Sequence, residues 1–235
     1  MALGRVADHP LQVICAGRTD AGVHARNQVI HFDTRASRAG SAWVLGANNY
    51  LPPDISLRWA MPVAPHFHAR FSAQQRHYRY LIINRRVRSA LAAGRALRVH
   101  RPLDVSLMQA ASTFLIGEHD FSAFRSAECQ ARNPVRQLRS IDITRQGDWL
   151  WIDVTANAFL HHMVRNIVGL LLAVGRGEQP PERARQQLQS RLRSTGEATA
   201  AAVGLYFWHV DYAPEFGLPA DSDIIGSHEA NWIQS

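Results

Sequence analysis

Short apolar or alternating runs recur along the chain, a pattern typical of β-strands with at least one buried face. Strands are predicted over residues 11–16, 28–34, 55–61, 76–83, 135–145, 149–156 and 205–212. Gln146-Gly147-Asp148 separates two of these runs and favours a hairpin. The pattern therefore predicts a sheet that is mainly antiparallel.

Helical periodicity is strongest over residues 159–174, where one face is apolar. That face comprises Leu160, Met163, Val164, Ile167, Val168 and Leu171. Asp104 is a predicted N-cap for a helix over 105–116, and shorter helices are predicted over 41–48 and after Pro181. Strands in hairpins with separate helices predict an α+β fold rather than a doubly wound parallel sheet.

The pattern changes near residue 67, after the prolines at 62 and 65. We therefore expect an N-terminal α/β subdomain over 1–67 and a C-terminal α/β subdomain over 68–214. Residues 215–235 are polar, contain proline and glycine, and are predicted to form a peripheral tail.

Basic residues outnumber acidic ones by 26 to 19, which gives a net charge of +7 and favours a polyanionic partner. The sequence contains no lysine, which excludes Schiff-base chemistry and a P-loop lysine. Cys15 and Cys129 are not in a Cys-x-x-Cys pair, which excludes a zinc ribbon. No apolar run is long enough to span a membrane, and the start has no apolar signal region, so a cytoplasmic location is expected.

The segment Gly17-Arg18-Thr19-Asp20-Ala21-Gly22-Val23-His24 carries the strongest candidate chemistry. Asp20 lies in a predicted loop between two strands, and the glycines allow the backbone to approach a ligand. Judged by spacing alone, an incidental surface pair of Arg18 and Asp20 is an equal alternative to a reactive loop.

This segment resembles the signature of the tRNA pseudouridine synthase A family, the TruA-type pseudouridine synthases. The resemblance extends from about residue 1 to about residue 215. Further matching blocks are Phe67-His68-Ala69-Arg70-Phe71-Ser72-Ala73, Tyr78-Arg79-Tyr80, His119-Asp120-Phe121, Phe124-Arg125, the run from Asn157 to Asn166 that includes His161-His162-Met163-Val164-Arg165, and Gly204-Leu205-Tyr206.

The resemblance implies the pseudouridine synthase fold and an isomerase that converts uridine to pseudouridine at positions 38, 39 and 40 of the anticodon stem-loop of tRNA. It implies a homodimer and no cofactor or metal. It also implies that Asp20 is the catalytic nucleophile, that Arg165 pairs with Asp20, that Tyr78 contacts the target uracil, and that Arg18 binds RNA and assists opening of the target site.

The residue types suit this chemistry, because the isomerisation involves no redox change and no group transfer. An arginine favours the ionised form of an enclosed carboxylate, and a phenol can stack on uracil and relay a proton. Attack on the ring, attack on the sugar and proton abstraction remain open roles for Asp20. Taken alone, Tyr78 is better interpreted as an ordinary half-buried strand tyrosine. Arg165 alone is either a solvated residue or, because it borders an apolar stripe, the partner of a carboxylate.

The other candidate residues have simpler interpretations. His161 and His162, as neighbours on a helix, are expected to point about 100° apart and not to share a metal. Phe121 and Phe124 are expected in the core. The pair His119-Asp120 suggests a metal-dependent phosphohydrolase, but the sequence lacks the carboxylate clusters that such a site needs.

The sequence departs from the family pattern at its start. Family members usually begin with a strand carrying Tyr-Asp-Gly and Gly-Trp-Gln motifs, followed by a helix, whereas here residues 1–7 match only the end of that helix. We therefore expect an N-terminally truncated form with an exposed sheet edge. The alternative hypothesis is an RNA-binding module whose catalysis is impaired by the missing segment.

Overall fold

The computed structural model describes residues 2–192 and 197–220. They form two compact units, each discontinuous in sequence. The first unit contains the residues up to Gly17, Val29–Ala73 and the residues from Tyr212 on, and the second contains Arg18–Gln28 and Gln74–Asp211. The division at residue 67 stays a prediction. Most of the predicted tail, residues 221–235, lies outside the described residues.

The helices and strands alternate irregularly along the chain. In order they are α1 (Ala2–Ala7), β1 (Ile14–Cys15), β2 (His24–Ala25), β3 (Ile30–His31), α2 (Gly40–Asn48), β4 (Gln75–Asn84), β5 (Leu97–Val99), α3 (Val105–Thr113), β6 (Gly117–Asp120), β7 (Val135–Gln146), β8 (Trp149–Ala156), α4 (Met163–Gly175), α5 (Arg183–Ser190) and β9 (Leu205–Asp211). Short 3-10 helices cover Ser122–Phe124, Ala202–Gly204 and Pro214–Phe216.

The first unit is built on two helices and one short ladder. Strands β1 and β3 pair antiparallel, and α1 packs against α2 at Gly46, where a Cβ atom would lie 3.0 Å from Val6 Cγ2. Trp43 of α2 is buried and meets the Phe32 ring edge-on at 5.1 Å. The strands predicted over 11–16 and 28–34 are each only two residues long. The intervening residues 18–28 belong to the second unit.

The strand predicted over residues 55–61 does not form. The side chain of Asn48 takes the place of a neighbouring strand. Its Nδ2 donates to the carbonyl of Leu57 at 2.8 Å, and its Oδ1 accepts from the Leu57 amide at 2.7 Å. Because one side-chain amide satisfies both backbone groups, the segment has no need of a ladder at that residue.

The second unit is organised around a seven-stranded sheet in the order β2-β9-β4-β8-β7-β6, with β5 paired to β4. The pairs β2–β9 and β4–β5 are parallel, and the other pairs are antiparallel. The predicted hairpin joins β7 and β8 through Gly147, which has a left-handed φ of 57°. Strand β6 was not predicted, because Gly-Glu-His-Asp has no apolar alternation.

Helices cover one face of this sheet and form the core with it. Asp104 caps α3 as predicted, since its Oδ1 accepts from the amides of Ser106 at 2.8 Å and Leu107 at 3.1 Å. Helix α4 is buried along nearly its whole length, and Phe121 and Phe124 are fully buried as expected. The α+β fold with a mainly antiparallel sheet is therefore confirmed.

In the described part of the chain, none of the helices has the length and apolar character needed to cross a membrane.

Candidate active site

Asp20 belongs to a loop of the second unit that is anchored where it runs into β2. After the loop, β2 pairs with β9, and the amide of Arg26 donates to the carbonyl of Phe207 at 2.9 Å. The loop itself turns tightly, because the amide of Val23 donates to the carbonyl of Asp20 at 3.0 Å. Gly22 supplies the positive φ of 78° inside this turn, a conformation that favours glycine. These contacts fix the backbone of the turn that carries Asp20.

Arg165 of α4 lies against the Asp20 carboxylate. Its Nη1 donates to Oδ2 of Asp20 at 3.1 Å, and its Nε donates to the carbonyl of Ala200 at 2.8 Å. The two side chains are only 15% and 25% exposed, so solvent screens this ion pair less than a surface pair. The guanidinium is therefore fixed in two directions.

His161 and His162 both contact the same carboxylate, which corrects the expectation that they point apart. The Nε2 atoms of His161 and His162 lie 3.1 Å from Oδ1 and Oδ2 of Asp20, respectively, and the ring centroids are 4.1 Å apart. The 100° step of a helix does not apply, because α4 begins only at Met163. His162 has a left-handed φ of 63°, and this backbone lets two neighbouring side chains reach one group.

One segment after residue 197 fixes the position of Arg165. The Ala200 amide donates to the Arg165 carbonyl at 3.1 Å, and Thr199 Oγ1 donates to Asn166 Oδ1 at 2.7 Å. Gly169 permits this packing, because a Cβ atom there would lie 2.2 Å from the carbonyl oxygen of Ala198. Sequence reasoning did not assign a role to this segment, which carries no charged or aromatic side chain.

Tyr78 is partly buried on β4, in the middle of the sheet. Its ring lies edge-on to Phe159 at 4.9 Å and to Phe207 at 5.2 Å, so two aromatic neighbours fix its orientation. Tyr80, two residues on, is fully buried and donates its hydroxyl to the carbonyl of Ala201 at 2.6 Å. Burial raises the pKa of Tyr80 well above its ordinary value, against the opposing charge of Arg165, and keeps this phenol neutral.

Arg18 is exposed, two residues before Asp20. Among residues 2–192 and 197–220, no hydrogen bond or ion pair holds its side chain. The structure thus brings Asp20 and Arg165 together, sets Tyr78 in an aromatic frame on β4, and leaves Arg18 directed to solvent. The spacing left open an incidental pair of Arg18 and Asp20; in the structure the arginine paired with Asp20 is Arg165.

Asp20, His161 and His162 also offer ligand atoms that all lie within 4.8 Å of one another. Two imidazoles and a carboxylate are donors that suit a transition metal. However, the guanidinium of Arg165 already occupies Oδ2 of Asp20, and its positive charge opposes a second cation. The expectation of a metal-free site stays a prediction.

Comparison with known proteins identifies relatives over most of the chain. The family model described as tRNA pseudouridine synthase matches residues 111–213, which include His161, His162 and Arg165. The tRNA pseudouridine synthase A of Nitrosococcus oceani is 55% identical over 218 residues, which cover 93% of this chain and 84% of that protein. The proteins of the same name from Vibrio cholerae and Methylococcus capsulatus are 52% and 50% identical, over 93% and 94% of this chain and 83% and 82% of their own lengths.

Proposed function

This chain belongs to the tRNA pseudouridine synthase family, and we propose that it isomerises uridine to pseudouridine in tRNA with Asp20 as the catalytic nucleophile. The observation that carries this proposal is the carboxylate of Asp20, which Arg165, His161 and His162 surround at 3.1 Å. The relatives named tRNA pseudouridine synthase A support tRNA as the substrate.

The reaction breaks the bond between C1′ of the ribose and N1 of uracil and forms a bond between C1′ and C5. N1 gains a proton and C5 loses one, so atoms and electrons balance without a redox partner. A carboxylate that adds to the substrate, or accepts a proton from it, must be anionic. Arg165 places its positive charge 3.1 Å from the carboxylate of Asp20, whose side chain is only 25% exposed, so solvent screens the pair less than it would at the surface.

Tyr78 is the proposed contact of the target uracil. Phe159 and Phe207 hold its ring from two sides, which reduces the entropy lost when a base packs against it. Its phenol is a candidate to relay the proton that leaves C5. Tyr80 is unsuited to either task, because it is fully buried and its hydroxyl is committed to Ala201.

Arg18 is the proposed phosphate contact beside the target nucleotide. Its exposed guanidinium can bind phosphate with two parallel hydrogen bonds and so offset part of the cost of unstacking a base. The net charge of +7 supports binding of a polyanion in general.

The finer features of this proposal rest on the family resemblance. They are action on uridines 38, 39 and 40 in the anticodon arm, assembly as a homodimer, and a cytoplasmic location, where the substrate is made. The alternative of a binding module with impaired catalysis has no support in the comparisons, and Asp20 and Arg165 are both in place.

The proposal is tested with unmodified tRNA transcript that carries tritium at C5 of uracil, in buffer that contains a chelator. The wild-type chain is expected to release tritium, and Asp20→Asn, which keeps the side-chain size but removes the charge, to release none while still binding tRNA. Asp54→Asn, an exposed position in the first unit, is the matched control. Release that survives in Asp20→Asn would reject Asp20 as nucleophile. Binding without release by the wild type would favour the impaired module.

A further inference from the structure

Phe71 presents its ring to solvent in the first unit, with a side chain 77% exposed. The ring is stacked on the imidazole of His68, with centroids 4.3 Å apart and planes at 28°. The guanidinium of Arg70 lies 5.6 Å from the ring centroid. The exposed ring therefore has an aromatic backing on one face and a cation beside it.

The turn that carries Phe71 is closed by its own hydrogen bonds. The His68 amide donates to Ser72 Oγ at 2.9 Å, and the Ser72 amide donates to the His68 carbonyl at 2.8 Å. The amides of Arg70 and Phe71 both point at Nδ1 of His68, at 3.2 and 3.1 Å. Because Nδ1 accepts both bonds, it carries no proton, and the plane of the imidazole is fixed.

Behind His68 the aromatic layer continues to His31. The two rings are 4.7 Å apart, and Nδ1 of His31 accepts from the amide of Ala69 at 3.1 Å. Burial lowers the pKa of His31, against the opposing charge of Asp33. Phe71 therefore rests on a stack that hydrogen bonds hold in place, so a ligand ring that packs on it would immobilise little further structure.

We propose that Phe71, backed by His68 and flanked by Arg70, is a stacking platform for an unpaired base of the tRNA substrate. Every base has a π face that packs on an aromatic ring, and the Arg70 charge suits the adjoining phosphate. The inference rests on the proposed function for its ligand, but not on the role of Asp20. The platform would be an RNA contact in addition to those proposed for Tyr78 and Arg18.

The test measures tRNA affinity at one fixed salt concentration for wild type, Phe71→Ala, Phe71→Leu and Phe71→Trp. Phe71→Ala and Phe71→Leu are expected to bind roughly tenfold more weakly, whereas Phe71→Trp retains affinity because indole also stacks. Binding of tRNA is expected to quench the fluorescence of Phe71→Trp beyond the change seen in the wild type. Leu91→Ala, at a side chain 90% exposed in the second unit, is the matched control and is expected to bind as wild type.

A second variant, at Arg70, separates the contribution of stacking on Phe71 from the contribution of the neighbouring positive charge. Arg70→Gln is expected to reduce the dependence of affinity on salt by about one ion, whereas Phe71→Ala leaves that dependence unchanged. Thermal unfolding of each variant verifies that the fold is intact. Because the Phe71 ring is exposed, its substitution is not expected to lower the thermal midpoint.

The outcomes distinguish this proposal from the proposed function. Wild-type affinity in Phe71→Ala overturns the platform even if tritium release is intact. Loss of affinity in Phe71→Ala with none in Phe71→Leu also overturns it, in favour of a generic apolar contact. A change in oligomeric state in Phe71→Ala assigns the ring to contact with a second copy instead. A wild-type chain that binds tRNA without releasing tritium refutes the function, and the affinity series still decides the platform.

Discussion

Arg165 donates from Nη1 to Oδ2 of Asp20 across 3.1 Å, although 145 residues separate them in the chain. The same guanidinium donates from Nε to the carbonyl of Ala200. A lysine has one charged group and cannot make both contacts in this planar geometry. The orientation of Arg165 is therefore set by the fork of the guanidinium as well as by its charge.

Arg165→Lys is accordingly expected to lower kcat by about 100-fold, the scale of losing one well-placed donor. Single-turnover conversion of tRNA measures this loss separately from tRNA affinity, which is expected to change little. Arg139→Lys, at an exposed position of β7, is the control for the change of residue type. Equal rates for wild type and Arg165→Lys would mean that charge alone, and not the fork, supports Asp20.

At His162, the contribution of the left-handed backbone to stability can be measured separately from the contribution of the imidazole to kcat. His162 has φ of 63°, which glycine adopts freely and a β-branched residue resists. His162→Gly is expected to keep the thermal midpoint near that of wild type and to lower kcat roughly 10- to 100-fold through loss of one hydrogen bond to a charge. His162→Val is expected to lower the midpoint as well.

Asp8, with φ of 60° in the first unit, supplies the control. Asp8→Gly makes the same backbone change at an exposed residue that has no part in the site around Asp20, and it is expected to leave kcat unchanged. If His162→Gly retained full kcat, the imidazole beside Oδ2 would have no part in holding the carboxylate.

Gly169 is expected to affect the site through packing rather than contact. A Cβ atom at this position would lie 2.2 Å from the carbonyl of Ala198, so Gly169→Ala must displace the segment that bonds Arg165 and Tyr80. We expect a loss of about 1–3 kcal/mol in the free energy of unfolding and a lower kcat. Urea unfolding and single-turnover rates measure the two effects.

Gly147→Ala is the control that separates the effect of backbone strain on stability from the effect of displacing the segment that holds Arg165. Its φ of 57° makes alanine unfavourable, but nothing lies within 4 Å of the added Cβ. This control is expected to lose stability and keep kcat. A Gly169→Ala variant that lost stability alone would show that the segment after residue 197 does not orient Arg165.

The sequence predicted the parts of the fold whose signals are local. Alternation located β7 and β8, helical periodicity located α4, and Asp104 marked the start of α3. The prediction was wrong where contacts with residues distant in sequence determine the local structure, as for the strand predicted over residues 55–61. Asn48 satisfies the backbone at Leu57 in place of a strand.

The candidate site divides in the same way. The signature around Asp20 is local, so the resemblance found it. The His161–His162 geometry depends on a left-handed backbone at a residue other than glycine, which a helical projection cannot indicate. The segment that holds Arg165 acts mainly through backbone carbonyls, so its side chains carried no signal.

Tyr80 predicts how stability depends on alkaline pH. Burial raises its pKa above the ordinary value, so the unfolded chain, where tyrosine titrates near pH 10, loses this proton first. The stability that Tyr80 contributes is full below about pH 10 and is lost as pH rises towards the folded pKa. Burial also raises the pKa of Tyr206, which adds to the same slope.

Tyr80→Phe is therefore expected to make unfolding less dependent on pH between about 9.5 and 11, without abolishing the dependence that Tyr206 adds. At pH 8 the variant is expected to lose about 0.5–1.5 kcal/mol, because the hydrogen bond from the Tyr80 hydroxyl to the carbonyl of Ala201 is removed. Urea unfolding across this pH range measures both effects, and Tyr50→Phe, at an exposed ring, controls for loss of a hydroxyl. An unchanged alkaline slope in Tyr80→Phe would show that this phenol does not couple folding to pH.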